Sequence, residues 1–455
     1  MLTTLISFFV TLGVLITFHE LGHYWVARWC GVRVLRFSVG FGRVLIKRVD
    51  KNGTEWALSA IPLGGYVKML DQDDLKPNAT TSTVAQSSND TPDPRGTSFQ
   101  SQPVSRRFAI VAAGPVFNLI LAVLLYALIN FVGTKEPEAI LAPPTAHSPA
   151  AMAGLQGGDR VVAINQTPIA SWPQLRWNLL QLVADGGEAE ITIEQGGSRL
   201  NRILQLPSIS DPSQSDPMRD IGLGLASGPP IVRSVVEGSV AQRAGLLAQD
   251  QIIQINDLRR PDIGTLIQTI QKNAGQPVSL EIDRNGQIIK FSLIPSAHAL
   301  ENGQTVGRAG IQLGSDVPMV DVRYGPIDSL MNGVVKTFDT AWFSLKMMGR
   351  MLTGDVSLKN ISGPVTIADY AGQSAKIGWA AYIAFLALVS VSLGILNLLP
   401  IPMLDGGHLL YYLIEMVRGK PVSERVMEWG QRAGLSVLAS LMILALFNDL
   451  IRVFN

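Results

Sequence analysis

Phe18-His19-Glu20-Leu21-Gly22-His23 decides how this chain is read, because it sets two imidazoles and a carboxylate inside a stretch that is otherwise apolar. On an α-helix residues four apart share a face, so His19 and His23 can both reach one metal ion. Glu20 follows the first histidine, where its carboxylate can approach a metal-bound water without being a ligand itself. Residues 1–26 hold no Lys or Arg, and those before His19 are apolar apart from a few Ser and Thr. Ionisable groups at membrane depth are costly and mark functional sites. The bland alternative, two surface histidines and a solvated glutamate, does not suit such flanks.

Working outward, four apolar stretches (about 2–26, 108–132, 379–400 and 434–453) are each long enough to cross a bilayer. Hydrophobic residues make up 47% of the 455 and charged ones 16%, which indicates a membrane protein with water-soluble parts. A net charge of +1 offers no basic field, so membrane lipid is an expected partner and nucleic acid is not. Cys30, the only cysteine, excludes an intramolecular disulfide framework and a cysteine-rich zinc module. The first stretch lacks a basic start and a small-residue cleavage site, so it reads as a retained helix. Arg28, Arg33, Arg36, Arg43, Lys47, Arg48, Lys51 and Lys68 follow it, with Arg106 and Arg107 before the second span. The positive-inside rule puts that segment in the cytoplasm and the N-terminus outside, with His19 and His23 toward the cytoplasmic end of their helix.

The chain divides as follows. Residues 1–27 are the first span, 28–70 a cytoplasmic, membrane-associated β-region, 71–105 a flexible polar loop and 106–132 the second span. Residues 133–226 and 227–318 are two soluble domains, and 319–375 a connector whose apolar periodicity over 328–352 predicts an amphipathic helix at the outer membrane surface or against the rest of the protein. The third span is 376–406, a second cytoplasmic loop 407–433, and the last span 434–455. In the β-region, runs at 34–39, 44–49, 55–60 and 66–69 flank Asn52-Gly53, a strong hairpin signal. Its edge is expected at Gly64, Gly65, Tyr66 and Val67, where an unwound peptide can add as a strand. The soluble part repeats itself: the pattern from Ser148 through Gly154-Leu155 and Asp159 to Asn165 recurs from Ser239 through Gly245-Leu246 and Asp250 to Asn256. Prolines 400 and 402 end or break the third span, freeing backbone that must line a site. Just beyond them stand Asp405 and His408, either of which can supply a third ligand. Asn118, at membrane depth, needs a hydrogen-bond partner.

With both motifs in view, His19-Glu20-Leu-Gly-His23 and Asn397-x-x-Pro400-x-Pro402-x-Leu404-Asp405-Gly406, the chain resembles the site-2 proteases over essentially its whole length. Gly114-Pro115 with Asn118 is similar to the family's second-helix motif. The repeats resemble PDZ domains of bacterial proteases. Gly222, Leu223, Gly224 and Leu225, and Gly310 with Ile311, look like their carboxylate-binding loops, placed late as in circular permutation. The resemblance implies a four-span α-helical membrane protein with a membrane-associated β-sheet and two tandem permuted PDZ domains. It implies one Zn2+ per chain held by His19, His23 and Asp405, Glu20 as the catalytic base, and Asn397 and Asn118 as oxyanion or substrate-positioning groups. Implied substrates are single-pass transmembrane proteins, above all a pre-trimmed anti-sigma factor, and remnant signal peptides, cut in regulated intramembrane proteolysis of an envelope stress response. The implied setting is a bacterial inner membrane, with both termini and the PDZ domains periplasmic, peptide C-termini as possible PDZ ligands, and the active site toward the cytoplasm. The competing class is a non-catalytic, membrane-anchored PDZ scaffold with a structural metal site, which has no use for Glu20.

Overall fold

The computed structural model describes residues 2–71, 96–183, 186–207, 216–259, 261–299, 305–357 and 361–454. Most of the polar loop expected over 71–105 therefore lies outside the described residues. The part that follows, from Gly96, is ordered against the end of the first helix: the Thr97 N–H donates to the Gly31 carbonyl at 2.9 Å, and that of Phe99 to the Leu70 carbonyl at 2.9 Å. The chain forms two compact units, Met1–Thr134 with Arg323–Asn455, and Lys135–Val322.

In the first unit, four helices are long and apolar enough to cross a membrane: α1 (Leu2–Trp29), α2 (Val104–Val132), α5 (Trp379–Leu398) and α7 (Glu424–Phe454). Between the second and third of these lie α3 (Pro326–Thr353) and α4 (Pro364–Ile377), and before the last lies α6 (Asp405–Arg418). Helix α2 is the hub, packed against α1, α3, α5 and α6. Small residues let the backbones meet. A Cβ on Gly22 of α1 would stand 2.5 Å from the Ala113 carbonyl oxygen, and one on Gly394 of α5 would stand 3.1 Å from that of Pro115.

Helix α3 runs along α2 with its small and polar face inward, burying Ser329, Gly333, Thr337 and Thr340. Its apolar stripe points out, with Val334, Phe338 and Trp342 exposed by 47%, 68% and 63%. Packing here relies on small residues that let the backbones approach rather than on hiding apolar ones. Helix α4 begins at Gly363, which has no side chain to cap it. The Asp449 carboxylate of α7 does so instead, accepting from the N–H groups of Gly363, Val365 and Thr366 at 2.9, 2.9 and 3.2 Å.

The third span ends at Leu398, earlier than its expected limit at 406. Pro400 and Pro402 cannot continue a helix, the chain turns through Leu399–Leu404, and Asp405 opens a separate helix. Gly406 has no room for a side chain: a Cβ there would lie 2.5 Å from the Leu398 carbonyl oxygen. The segment expected as a loop over 407–433 is thus largely helical, with Arg418 on α6, Arg425 and Arg432 on the first turns of α7, and Lys420 in the link between them.

The β-region is one antiparallel pair of long, bent strands, β1 (Val34–Val49) and β2 (Glu55–Met69). Its register shifts let the first run of β1 pair on both sides: Val39 faces Leu58 and also Gly65. The hairpin closes over Asp50, whose Oδ1 accepts from the N–H groups of Asn52 and Thr54 at 2.8 and 2.9 Å. The run 65–69 lies against α1, where a Cβ on Gly65 would come within 3.1 Å of Glu20 Cγ.

The second unit holds two apolar cores, one built on Leu175, Leu179, Ile191 and Ile193, the other on Leu266, Ile270, Leu280 and Ile282. Both halves order their elements alike. A short helix (Pro149–Met152; Val240–Arg243) leads to a strand (Arg160–Ile164; Gln251–Ile255), a longer helix (Trp172–Val183; Ile263–Lys272) and a hairpin (187–206; 278–293). The polar fixtures also correspond. Ser148 and Ser239 cap the short helices, Asp159 and Asp250 each accept a backbone N–H at 2.8 Å, and Asn165 and Asn256 each accept one from the following hairpin.

Candidate metal centre and active site

Helix α1 projects His19 and His23 from successive turns, and their Nε2 atoms stand 3.3 Å apart. Asp405, first residue of α6, brings Oδ2 to 3.2 Å from His19 Nε2 and 3.6 Å from His23 Nε2. Among the described residues these three form the one His/Cys/Asp/Glu group whose donor atoms converge, all within 4.8 Å. His408, the other sequence candidate, lies one turn further along α6, with its ring edge-on to Tyr411.

The surroundings fit a cation. Asp405 Oδ2 is buried and has no hydrogen-bond donor. Two neutral imidazoles and one carboxylate form a donor set suited to zinc, leaving a position open for water or substrate. Helix α2 makes room for them: a Cβ on Gly114 would stand 2.6 Å from His23 Cε1 and 2.7 Å from His19 Cε1. Far from ordinary helix packing, Gly114 is the wall against which both rings rest.

A metal-binding imidazole that offers Nε2 carries its proton on Nδ1 and needs an acceptor there. His23 has one in the Ile110 carbonyl oxygen, 2.8 Å from Nδ1. His19 Nδ1 lies 3.4 Å from the Asn118 amide. Asn118 is 1% exposed, its Oδ1 has no partner, and its carbonyl oxygen accepts from Ser390 Oγ at 2.7 Å. The structure thus brings Asn118 to a histidine. The Gly114-x-x-x-Asn118 spacing carried that signal, since residues four apart share a face; the Ile110 carbonyl, a backbone group, left none.

Glu20 borders a cavity of about 510 Å³, shared with His23, Val67, Met69, Phe99 and Val111. The backbone of Val67 hydrogen-bonds the Glu20 carboxylate, and Gly65 lies beside it. Tyr66 stacks on Phe41, and its hydroxyl accepts from Arg36. Asn397 sits half-buried on the last turn of α5. In the second unit Gly222 and Gly310 take positive φ of 83° and 75°, each packed against the serine that caps its short helix. Leu223 is buried, Gly224 accepts from the Ala142 N–H, Leu225 bridges to Leu141, and Ile311 pairs with Val235.

A metallopeptidase embedded among membrane-spanning helices is the class that this fold and donor set define. The profile of peptidase family M50 matches residues 7–441, and the chain belongs to that family, the site-2 proteases. Among its relatives, a Ralstonia nicotianae protein that bears a zinc metalloprotease name is 43% identical over 99% of both chains. The regulator of sigma-E protease of Escherichia coli is 39% identical over 98% of both, and that of Salmonella typhimurium 39% over 99% of both.

Proposed function

We propose that the chain is an intramembrane zinc endopeptidase that cuts transmembrane segments of single-pass membrane proteins. The observation that carries the proposal is the meeting, among apolar helices, of His19, His23 and Asp405 with Glu20 beside the run Gly65–Met69. His19, His23 and Asp405 would hold one zinc ion. Bound there, zinc supplies Lewis acidity to the scissile carbonyl and to the attacking water. Glu20 takes the proton from that water and delivers it to the leaving amine. With its amide group turned over, so that the partnerless Oδ1 replaces Nδ2 at His19 Nδ1, Asn118 accepts there as Ile110 does from His23 Nδ1, and both rings keep Nε2 free. Asn397 donates to the carbonyl oxygen as charge develops on it.

A helical substrate hides its carbonyls in its own hydrogen bonds, so it must unwind before it is cut. The backbone of 64–67 receives the unwound segment as an added strand, which reads conformation more than side chains. The 39% identity to the regulator of sigma-E protease supports a trimmed anti-sigma factor as substrate, and remnant signal peptides, also single membrane-spanning segments, are the second proposed class. The matching fixtures around Ser148 and Gly222, and Ser239 and Gly310, support two circularly permuted PDZ domains. Standing outside the inner membrane by the charge rule, they exclude bulky uncut substrates or bind new peptide C-termini at Gly222–Leu225 and Gly310-Ile311.

The test is capture and cleavage in native membranes. A Glu20→Gln enzyme should bind zinc at about one ion per chain, retain trimmed single-pass proteins and cut none. Cleavage at the normal rate by that variant would overturn the assignment.

A further inference from the structure

We propose that Arg107 of α2 and the Glu415–Tyr412 pair of α6 form a brace that sets the register and roll of α6, and so positions the Asp405 carboxylate. The proposal rests on Asp405 being the third ligand.

Arg107 Nη2 lies 2.7 Å from Glu415 Oε1, both side chains more than four-fifths buried. The Arg107 guanidinium also lies over the Tyr412 ring, 5.1 Å from its centroid, and its Nε donates to the Gln102 carbonyl at 3.2 Å. Its planar fork is thereby fixed on three sides, which a flexible ammonium would not achieve. By contrast Arg106, next in sequence, spends its guanidinium on Gln102 and the Cys30 carbonyl, away from α6.

The sequence positions explain why such a brace reaches the metal site. Arg107 and Gly114 are seven apart on α2, and Asp405 and Tyr412 seven apart on α6, so each pair shares one helix face. Arg107 meets Tyr412 at one end of the shared seam, and Gly114 holds the imidazoles that Asp405 meets at the other. The two helices therefore run antiparallel along this seam. Helix α6 is only 14 residues long and joins α5 through a tight turn that holds its Asp405 end; the brace holds it further along, at Tyr412 and Glu415. A slip of one turn, about 5.4 Å, would take Asp405 out of reach of both rings. Arg107 suits the positioning role because Ile110, Gly114 and Asn118, which contact the two imidazoles, lie on the same helix.

The test measures zinc half-saturation of the full chain in detergent by chelator competition, independent of cleavage. Arg107→Gln should weaken zinc binding about tenfold, the lower end of what supporting groups contribute, or about 1.4 kcal/mol. Glu415→Gln, the milder change of shape, should move it in the same direction. The charge exchange Arg107→Glu with Glu415→Arg should recover only the part of the loss owed to the ion pair, since a glutamate at 107 cannot donate to the Gln102 carbonyl. Added to Asp405→Ala, Arg107→Gln should cost less than about twofold, because the group it positions is gone. Wild-type zinc affinity in both single variants, or the same tenfold loss on the Asp405→Ala background, overturns the proposal. An Asp405→Ala chain that binds zinc normally refutes the ligand assignment instead.

Discussion

Gly114→Ala is the most discriminating substitution at the site. The added Cβ would lie 2.6 Å from His23 Cε1, 2.7 Å from His19 Cε1 and closer still to His23 Nε2, where ordinary contact begins near 3.4 Å. Either both rings retreat by about 1 Å or α2 moves away from α1, and misplacement of about 1 Å in a reacting constellation costs roughly 100-fold in rate. The helix itself should not suffer, since alanine is better than glycine in a helix interior by about 1 kcal/mol. The expected result is a folded protein whose zinc half-saturation rises at least about tenfold and whose cleavage of a trimmed membrane substrate falls about 100-fold. Gly13→Ala on α1 serves as control, because a Cβ there meets nothing within 4 Å. Circular dichroism reports the fold, metal analysis after chelator challenge the site, and a gel assay the cleavage. Wild-type zinc retention and cleavage in Gly114→Ala would refute the view that this glycine is the wall of the metal centre.

Removing ligands should separate metal from chemistry: His19→Ala, His23→Ala and Asp405→Ala should lose zinc, whereas Glu20→Gln should keep it, as metal analysis of purified protein will tell. Gly65→Ala, which would crowd Glu20 Cγ at 3.1 Å, should lower kcat about three- to tenfold, a small fraction of what a well-placed general base contributes, with zinc content unchanged; an unaltered rate counts against contact between this strand and the base. Val67→Pro removes the N–H that meets Glu20 and should impair cleavage sharply, whereas Val67→Thr should be mild. In the second unit, Asp262 caps the helix Ile263–Lys272, and its bonds from the Thr265 hydroxyl hold its carboxyl below the usual range. A carboxyl depressed in the folded state stabilises it above the unfolded pKa of about 3.9, and that contribution fades as pH falls through the lower folded value. Asp262→Ala should therefore cost about 1 kcal/mol at neutral pH and progressively less below pH 4, measured by thermal melts of the whole chain.

The sequence carried the site better than its setting. His19, Glu20 and His23 were legible because helical spacing alone brings them together, and the Asn397–Gly406 motif supplied a third ligand that no local rule could join to them. By residue type alone Asp405 and His408 were alternatives and the family resemblance favoured Asp405; the fold turns Asp405 toward the imidazoles and His408 toward Tyr411. The repeat was legible because its capping serines, aspartates and asparagines do the same local work twice. The α6 helix was hidden by charge: Arg418, Lys420 and Arg425 read as a loop, while the apolar face of α6 is short enough to be missed. Helix α3 was recognised as amphipathic, but periodicity says only that two faces differ. Which one packs depends on whether the neighbour is water or hydrocarbon, and here the small face with Gly333 packs.

The proposed metal centre is drawn from opposite ends of the chain, His19 and His23 on the first helix and Asp405 beyond the fifth. During synthesis the first helix enters the membrane with its two imidazoles and its base already in place, yet the third donor does not exist until most of the polypeptide has left the ribosome. A growing chain therefore carries two of the three proposed donors before the third is made. The three side chains come together only when α6 packs back against α2. On the proposed ligand set, the order of residues along the chain makes the Asp405 carboxylate the last donor the site receives.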